Sequence, residues 1–118
     1  MKPCPFCEIV GGESPATIYY ANRDGVVIEP LGPVVRGHVL AIPWQHADDW
    51  TSDPTVSAAA MRVAAEYARF AGLKDCNLIT SRGPAATQSV YHLHLHIVPR
   101  TEGDGLALPW HSGKKRHT

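Results

Sequence analysis

Residues 92–98 read His-Leu-His-Leu-His-Ile-Val and carry the strongest pattern in the chain. Side chains of a β-strand alternate between its two faces, so this pattern predicts a strand with His92, His94 and His96 on one face and aliphatic residues on the other. Burial against a core explains the aliphatic face. Solvent exposure alone does not explain three imidazoles, because threonine, lysine or glutamate suit a hydrated face equally well. The histidine face is therefore a candidate functional site.

Two kinds of chemistry fit three imidazoles on one strand. His-x-His spacing can present neutral imidazoles to a metal ion such as zinc, copper or iron. Alternatively, one imidazole attacks phosphorus and is later displaced from the phosphoramidate, which divides one substitution into two easier steps. The preceding residues suit the second chemistry, because Gln88, Ser89 and the segment 81–83 offer hydrogen-bond donors for phosphoryl oxygens.

Four further runs of β-prone residues accompany this strand. They are bounded by glycine, proline, asparagine and aspartate, which typically end strands. The Asn22–Gly25 segment between the first two runs predicts a hairpin turn. The four runs cover residues 17–20, 26–29, 38–42 and 76–80.

One long helix is predicted between the third and fourth runs. Asp53 can cap it, Pro54 suits its first position, and Gly72 can end it in the left-handed conformation. Antiparallel strands with one long helix indicate the α+β class. The predicted helix has an apolar stripe that consists of Val56, Ala60, Val63, Tyr67 and Phe70.

Composition bounds the classes of function that need consideration. With 118 residues, 44% hydrophobic and 19% charged, the chain predicts a single folded domain over residues 1–118. Eleven basic residues balance eleven acidic ones, so no overall field favours nucleic acid. No apolar run reaches the roughly 18–20 residues of a membrane span. Three cysteines are too few for a secreted disulfide framework, and we expect a reducing cytoplasmic location.

Cys4 and Cys7 have the Cys-x-x-Cys spacing found in metal-binding knuckles. Two thiolates supply half of a tetrahedral zinc shell, and histidines can complete it. A redox role requires the pair to follow a strand and begin a helix, whereas here prolines surround the pair and no strand precedes it. Chance spacing is the third interpretation, so the residues alone leave the question open.

Three segments in matching order resemble the histidine-triad (HIT) family. Residues 88–100, Gln-Ser-Val-Tyr-His-Leu-His-Leu-His-Ile-Val-Pro-Arg, resemble its signature motif. Residues 33–43 resemble its first nucleotide-binding strand, and residues 4–10 resemble the opening of its zinc-bearing bacterial members. The resemblance implies a HIT-like fold, a five-stranded antiparallel sheet with one long and one short helix, assembled as a homodimer.

The resemblance also implies a nucleotidyl hydrolase or transferase. Family members act on nucleoside phosphate derivatives, such as dinucleoside polyphosphates or nucleoside phosphoramidates, through a covalent nucleotidyl-histidine. The nucleophile falls on His94, while His96 faces the phosphate and Ser89 faces the leaving-group oxygen. The implied nucleotide-binding residues are Glu29, His38, Ser81, Gln88, Ser89, His94 and His96.

Zinc-bearing members use two N-terminal cysteines, a histidine after the first long strand, and the first triad histidine. In this chain those ligands fall on Cys4, Cys7, His46 and His92. A shell filled by four protein ligands has no open position, so the resemblance implies a structural zinc in an N-terminal knuckle segment, residues 1–15.

The sequence departs from the family pattern at three positions, which leaves two other functions as alternatives. Thr87 stands where many members have glycine, Ser81 where many have asparagine, and Pro30 near the ribose-binding acid, which leaves Glu29 for that role. One alternative is a zinc-stabilised nucleotide-binding module with little turnover. Another is a metal-dependent oxidase or hydrolase that uses all three histidines.

Residues 101–118 predict an irregular C-terminal tail. His111, His117 and the basic run at 114–116 are most simply solvated there. Trp110 resembles a tryptophan that reaches the partner subunit's substrate region in some family members, and a surface anchor for the tail is an equal alternative.

Overall fold

The computed structural model describes residues 4–114, which form one sheet with two helices. The predicted roles of His117 and of the basic residues 115–116 lie outside the described residues. In chain order the elements are α1 (Pro5–Val10), β1 (Ile18–Ala21), β2 (Gly25–Ile28), β3 (Val39–Pro43), α2 (Pro54–Phe70), β4 (Cys76–Ile79), a 3₁₀ turn (Pro84–Ala86) and β5 (Leu95–Pro99).

The five strands lie in the order β1-β2-β3-β5-β4, and every neighbouring pair is antiparallel. The predicted α+β fold, a five-stranded antiparallel sheet with one long and one short helix, is therefore confirmed. β5 lies inside the sheet, where Leu95 pairs with Ala41 of β3 and His96 pairs with Ile79 of β4. The strand that carries the last triad histidine is thus fixed on both sides.

Helix α2 begins and ends at the predicted signals. The Asp53 side chain accepts a hydrogen bond from the Thr55 N–H at 2.9 Å, and Gly72 follows the last turn with φ of 67°. The predicted stripe is buried at Val56, Ala60 and Val63, but Phe70, the last residue of α2, is 71% exposed and packs on the ring of Tyr20 in the edge strand β1, with centroids 5.2 Å apart. Within residues 4–114 no helix is long and apolar enough to cross a membrane.

Two hydrophobic clusters cover the two faces of the sheet. The first packs α2 against Leu93, Leu95 and Ile97. The second packs α1 and the segment after it against the opposite face. Its buried members are Val26, Ile28, Leu40 and Ile42, with Phe6, Ile9, Val10 and Ala16 partly buried against them. The histidine face of β5 therefore shares a side of the sheet with α1.

β5 is shorter than the strand predicted from residues 92–98. It begins at Leu95, because the Leu93 N–H bonds the carbonyl of Ala47 at 2.7 Å, outside the ladder. The alternation of faces nevertheless continues through the preceding segment, where Leu93 is only 1% exposed. His92 and His94 are thus positioned by a loop contact, and His96 by the sheet.

The predicted hairpin turn is present between β1 and β2, but its glycine has another role. The Asn22 side chain accepts hydrogen bonds from the N–H groups of Asp24 and Gly25, which closes the turn. Gly25 is the first residue of β2, and a Cβ there would lie 2.3 Å from the Ile42 carbonyl oxygen. Close approach of two strands, rather than a positive φ, requires this glycine.

Candidate functional site

The imidazole of His94 is held in one tautomer by its own backbone segment. Its Nδ1 lies 2.7 Å from the carbonyl oxygen of His92. Because a carbonyl oxygen only accepts, Nδ1 carries the proton and Nε2 keeps its lone pair. Burial lowers the pKa of His94 below its ordinary value of 6.5. At neutral pH this ring therefore presents an unprotonated nitrogen for nucleophilic attack.

A relay of hydrogen bonds fixes the tautomer of His96. The Val34 N–H donates to Nδ1 of His38 at 3.0 Å, so the proton of neutral His38 is on Nε2. That Nε2 lies 3.0 Å from Nδ1 of His96, which accepts and leaves the His96 proton on Nε2. His96 thus keeps one N–H donor next to His94, with ring centroids 5.1 Å apart. Burial, together with the neighbouring His94 and His38, lowers the pKa of His96 to about 4.

A cavity of about 830 Å³ opens beside the nucleophilic ring. His94, Ser89 and Glu29 are among the residues that line it. Most of its other lining residues are apolar. Its apolar lining includes Phe6, Ile9, Ile28, Leu31, Leu40 and Val90. The cavity therefore combines an apolar compartment with a nucleophile and a carboxylate.

The predicted phosphate-binding residues do not all face this cavity. Ser89 is exposed on its wall. Gln88 is 8% exposed, and its amide bonds the carbonyls of Asp48 and Val90 and the N–H of Gly83. The buried Gln88 side chain therefore connects the loop that contains Gly83 to the loop that contains Asp48. Within the described chain, Ser81, His38 and His96 are absent from the lining residues of the cavity.

The exposed carboxylate of Glu29 has a defined orientation. Tyr19 donates its hydroxyl to Oε1 of Glu29 at 3.2 Å. Glu29 and Pro30 both line the cavity. Of the two residues near the expected ribose position, Glu29 is thus the one with a hydrogen-bonding side chain.

Thr87, which stands where many family members have glycine, has a backbone conformation that glycine favours. It follows the 3₁₀ turn with φ of 70° and ψ of 20°, and among residues 4–114 it is the one non-glycine residue with positive φ. A β-branched residue is strained in this region, which glycine adopts freely. The loop keeps the conformation that glycine favours at this position, at a cost in stability.

Four predicted metal ligands lie together at the N-terminal end of α1. The donor atoms of Cys4, Cys7, His46 and His92 all lie within 4.8 Å of one another. Sulfur–nitrogen separations range from 3.2 to 3.8 Å, and the two Nδ1 atoms are 3.0 Å apart. Among residues 4–114 this is the one group of at least three potential ligands, and neither His94 nor His96 belongs to it.

The sulfur–nitrogen separations of 3.2–3.8 Å are close to those around a tetrahedral zinc ion, while the two Nδ1 atoms, 3.0 Å apart, lie closer together than zinc-bound ligands would. Bonds of about 2.3 Å to sulfur and about 2.0–2.1 Å to nitrogen place tetrahedral ligands about 3.4–3.8 Å apart. The remaining ring nitrogens are also bonded, since His46 Nε2 lies 2.9 Å from a carboxylate oxygen of Asp48 and His92 Nε2 lies 3.4 Å from the Pro43 carbonyl. Such outer contacts orient histidine ligands.

The Cys-x-x-Cys pair does begin a helix, because Cys4 is the N-cap residue of α1. Burial and then the neighbouring Cys4 raise the pKa of the Cys7 thiol to about 11. A redox-active cysteine has a lowered pKa, so this environment does not favour that role. A bound cation would supply the charge needed for two adjacent thiolates.

Sequence reasoning missed three residues that contact the site. Phe6 packs edge-to-face on His94, Thr80 donates its hydroxyl to the His94 carbonyl at 2.8 Å, and Asp48 bonds His46. Only Phe6 had a signal in the sequence, as the large apolar residue between the two cysteines.

The C-terminal tail is irregular but anchored. Arg100 bonds both carboxylate oxygens of Asp104, at 2.8 and 3.0 Å, and the Leu106 carbonyl at 2.7 Å. Through residue 114 the tail contains one isolated β-bridge, between Leu108 and His111. Trp110, in the turn of that bridge, is 81% exposed.

The chain belongs to the HIT domain family, whose model matches residues 11–103. A curated relative, an uncharacterized HIT-like protein of Mycobacterium tuberculosis, is 38% identical over 111 residues, which covers 90% of this chain and 77% of the relative. The adenosine 5'-monophosphoramidase of Saccharomyces cerevisiae is 30% identical over 115 residues, covering 91% of this chain and 69% of that enzyme.

A solved structure that shares the fold contains zinc. It is a zinc-bound histidine triad family protein from Mycobacterium smegmatis, 37% identical, with a TM-score of 0.75. The alignment covers 88% of this chain and 79% of that one. The predicted family is thus confirmed, and the family includes hydrolases that act on nucleotides.

Proposed function

We propose that this protein is a nucleotidyl hydrolase or transferase that acts at the α-phosphate of a nucleoside phosphate derivative. The observation that carries the proposal is the tautomer of His94, whose Nδ1 proton is engaged by the His92 carbonyl while Nε2 keeps its lone pair beside a cavity. A dinucleoside polyphosphate or a nucleoside phosphoramidate is the proposed substrate. The phosphoramidase relative supports the second class.

Binding divides among the parts of the cavity wall. The apolar compartment lined by Phe6, Ile9 and Leu40 suits a nucleobase, because its burial removes flat apolar surface from water. Glu29, oriented by Tyr19, accepts hydrogen bonds from ribose hydroxyls. The phosphate then lies toward Ser89 and His94.

Two displacements at phosphorus make up the proposed reaction. Nε2 of His94 forms a bond to the α-phosphorus as the bond to the leaving oxygen or nitrogen breaks, and Ser89 donates a hydrogen bond to that departing atom. The Nε2–H of His96 stabilises the charge on the phosphoryl oxygens. Water or another acceptor then attacks phosphorus, the phosphorus–nitrogen bond breaks, and the lone pair returns to Nε2.

We assign zinc to Cys4, Cys7, His46 and His92, with a structural role. Four protein ligands leave no open position for a substrate, and the ion would stabilise both thiolates. The ligands come from α1, the loop after β3 and the segment before β5, so the ion would join three separate parts of the chain.

Enzymatic turnover is tested with adenosine phosphoramidate, diadenosine polyphosphates and adenylyl-lysine compounds. We expect AMP release from at least one of them, loss of turnover in His94→Ala with AMP binding retained, and AMP trapped on His94 after acid quenching. Parental turnover in His94→Ala, or AMP trapped on another residue, would refute the mechanism.

A nucleotide-binding module with little turnover is the second candidate. It is favoured by the internal hydrogen bonds of Gln88 and by the shorter Ser81, because both reduce the donors available to phosphate. Tight AMP binding without product from any of the three substrate classes would favour this module over the enzyme.

We also propose a cytoplasmic homodimer that does not bind nucleic acid. β4 is an edge strand whose other side has no strand partner in the described chain, and its Leu78 and Ile79 are 42% and 38% exposed. Exposed edges of this kind pair readily with another strand. Sedimentation at micromolar concentration tests the assembly, and a monomer would contradict it.

A further inference from the structure

Phe6 lies between the metal-ligand cluster and the candidate nucleophile. Its ring contacts His94 edge-to-face, with centroids 4.9 Å apart and planes at 69°. The same ring contacts the metal-cluster residue His92, with centroids 6.0 Å apart and planes at 88°. One side chain thus touches the two histidines to which different roles are assigned.

Phe6 packs on the sheet and is flanked in sequence by the two cysteines of the cluster, while its own helix gives it little support. α1 has only six residues, and a helix of this length is not stable by itself in water. Cys4 caps the helix, accepting from the Cys7 N–H at 3.2 Å, so the two thiols bracket Phe6 on both sides. The packing of Ile9 and Val10 on the sheet is the other support of α1.

Three contacts orient the ring of His94, namely the bond from Nδ1 to the His92 carbonyl and edge-to-face contacts with the rings of His96 and Phe6. The bond from Nδ1 to the His92 carbonyl fixes one nitrogen but permits the ring to tilt about that contact. The edge of Phe6 lies against the ring, and an edge-to-face aromatic pair has a preferred geometry. The contact restricts the tilt and thereby the direction of the Nε2 lone pair.

We propose that Phe6 is a positioning residue for His94, and that metal binding at the four-residue cluster keeps it in place. The inference rests on the proposed function, in which His94 is the nucleophile. It predicts that the cluster influences the orientation of the nucleophile and the shape of the cavity, in addition to stability.

The first experiment compares Phe6→Leu with Val10→Ala in the zinc-loaded protein. Both residues lie on α1 and pack on the sheet, but Val10 is not among the residues that line the cavity. Leucine retains most of the apolar volume and loses the ring edge, so we expect kcat to fall about three- to tenfold, while any change in KM reports the separate contact of Phe6 with the bound nucleotide. Val10→Ala should leave both kcat and KM near the parental values. Equal kcat in Phe6→Leu and wild type would overturn the inference.

A second measurement needs no turnover. Long-range proton–nitrogen spectra of ¹⁵N-histidine-labelled protein, recorded at about pH 8, show which ring nitrogen carries the proton and how well each ring is ordered. We expect a single Nδ1–H form of His94 in the wild type, and broadening or mixed tautomers in Phe6→Leu and in chelator-treated wild type. Phe6→Tyr should restore the wild-type pattern.

Metal dependence is tested by AMP affinity before and after chelation, with circular dichroism as the check that the sheet remains folded. We expect at least a tenfold rise in Kd, because α1 forms part of the cavity wall. An unchanged His94 spectrum and an unchanged Kd in folded metal-free protein would refute the coupling. If the wild type turns over no substrate, the proposed function fails, while the spectra still decide the role of Phe6.

Discussion

The relay from Val34 through His38 to His96 leads to a prediction about the variant His38→Phe. Phenylalanine fills the same buried site, since His38 is 6% exposed, but it offers no nitrogen to either partner. Nδ1 of His96 then loses the donor that lies 3.0 Å away, and the Val34 N–H loses its acceptor, also at 3.0 Å.

The magnitude follows from these two unsatisfied groups. A buried polar group left without a partner costs about 1–3 kcal/mol, so two such groups would cost about 2–6 kcal/mol. Val34 is exposed and water can reach its N–H, so we expect a total loss of about 1–3 kcal/mol. For a domain of 118 residues this corresponds to a fall in Tm of roughly 4–12 °C.

We also expect His38→Phe to lower kcat. Without the His38 donor, His96 no longer has its proton fixed on Nε2, and part of the population would present a lone pair to the phosphoryl oxygens. Loss of one such donor typically lowers kcat by about 10²–10³. Because only part of the His96 population would lose the Nε2–H form, we expect kcat to fall by about ten- to a hundredfold. The pKa of His96 should also rise, because the neighbouring His38 is one of the causes that lower it.

The assay combines thermal unfolding, steady-state kinetics and histidine nitrogen spectra of His38→Phe. His111→Phe is the matched control, because His111 is an exposed histidine of the tail. If His38→Phe keeps the wild-type Tm, kcat and His96 tautomer, the relay does not operate as the distances indicate.

Four further predictions follow from the cluster, the loops and the buried imidazoles. Cys4→Ser should reduce the metal content from one zinc per chain, measured by atomic absorption, and unchanged content would defeat the assignment. Thr87→Gly should raise the free energy of unfolding by about 1 kcal/mol, measured in urea, because glycine adopts the positive φ at this position without strain and adds only a small entropic cost. Glu29→Gln should weaken AMP binding about tenfold in calorimetry, with binding of ribose-free phosphate unchanged. Between pH 6.5 and about 4, the unfolded chain binds a proton that folded His96 does not, so stability should fall as pH falls through this window, by on the order of 1–2 kcal/mol in denaturation experiments.

Local patterns predicted most of the secondary structure because their causes are local. The cap at Asp53, the stop at Gly72 and the alternation around His94 depend on neighbouring residues, and the structure contains each of them. Phe70 continues the helical period but is 71% exposed, because periodicity indicates which face of a helix is apolar and not how far the core extends along it.

The candidate site was predictable in part. The motif at residues 92–98 pointed to histidine chemistry, and the resemblance separated its histidines into metal and phosphate roles. Contacts of Phe6 with His94 and of Gln88 with the backbone of Asp48 join residues far apart in the chain, so no spacing rule indicates them.

The sequence by itself determined the alternation of faces that places three histidines opposite an aliphatic core, because alternation is a property of the extended backbone. Only the tertiary structure decided what each ring does. Nδ1 of His92 lies beside two thiols, Nδ1 of His94 bonds a carbonyl, and Nδ1 of His96 meets His38. These partners come from separate loops and strands, so the proton positions that distinguish the three imidazoles exist only in the folded chain.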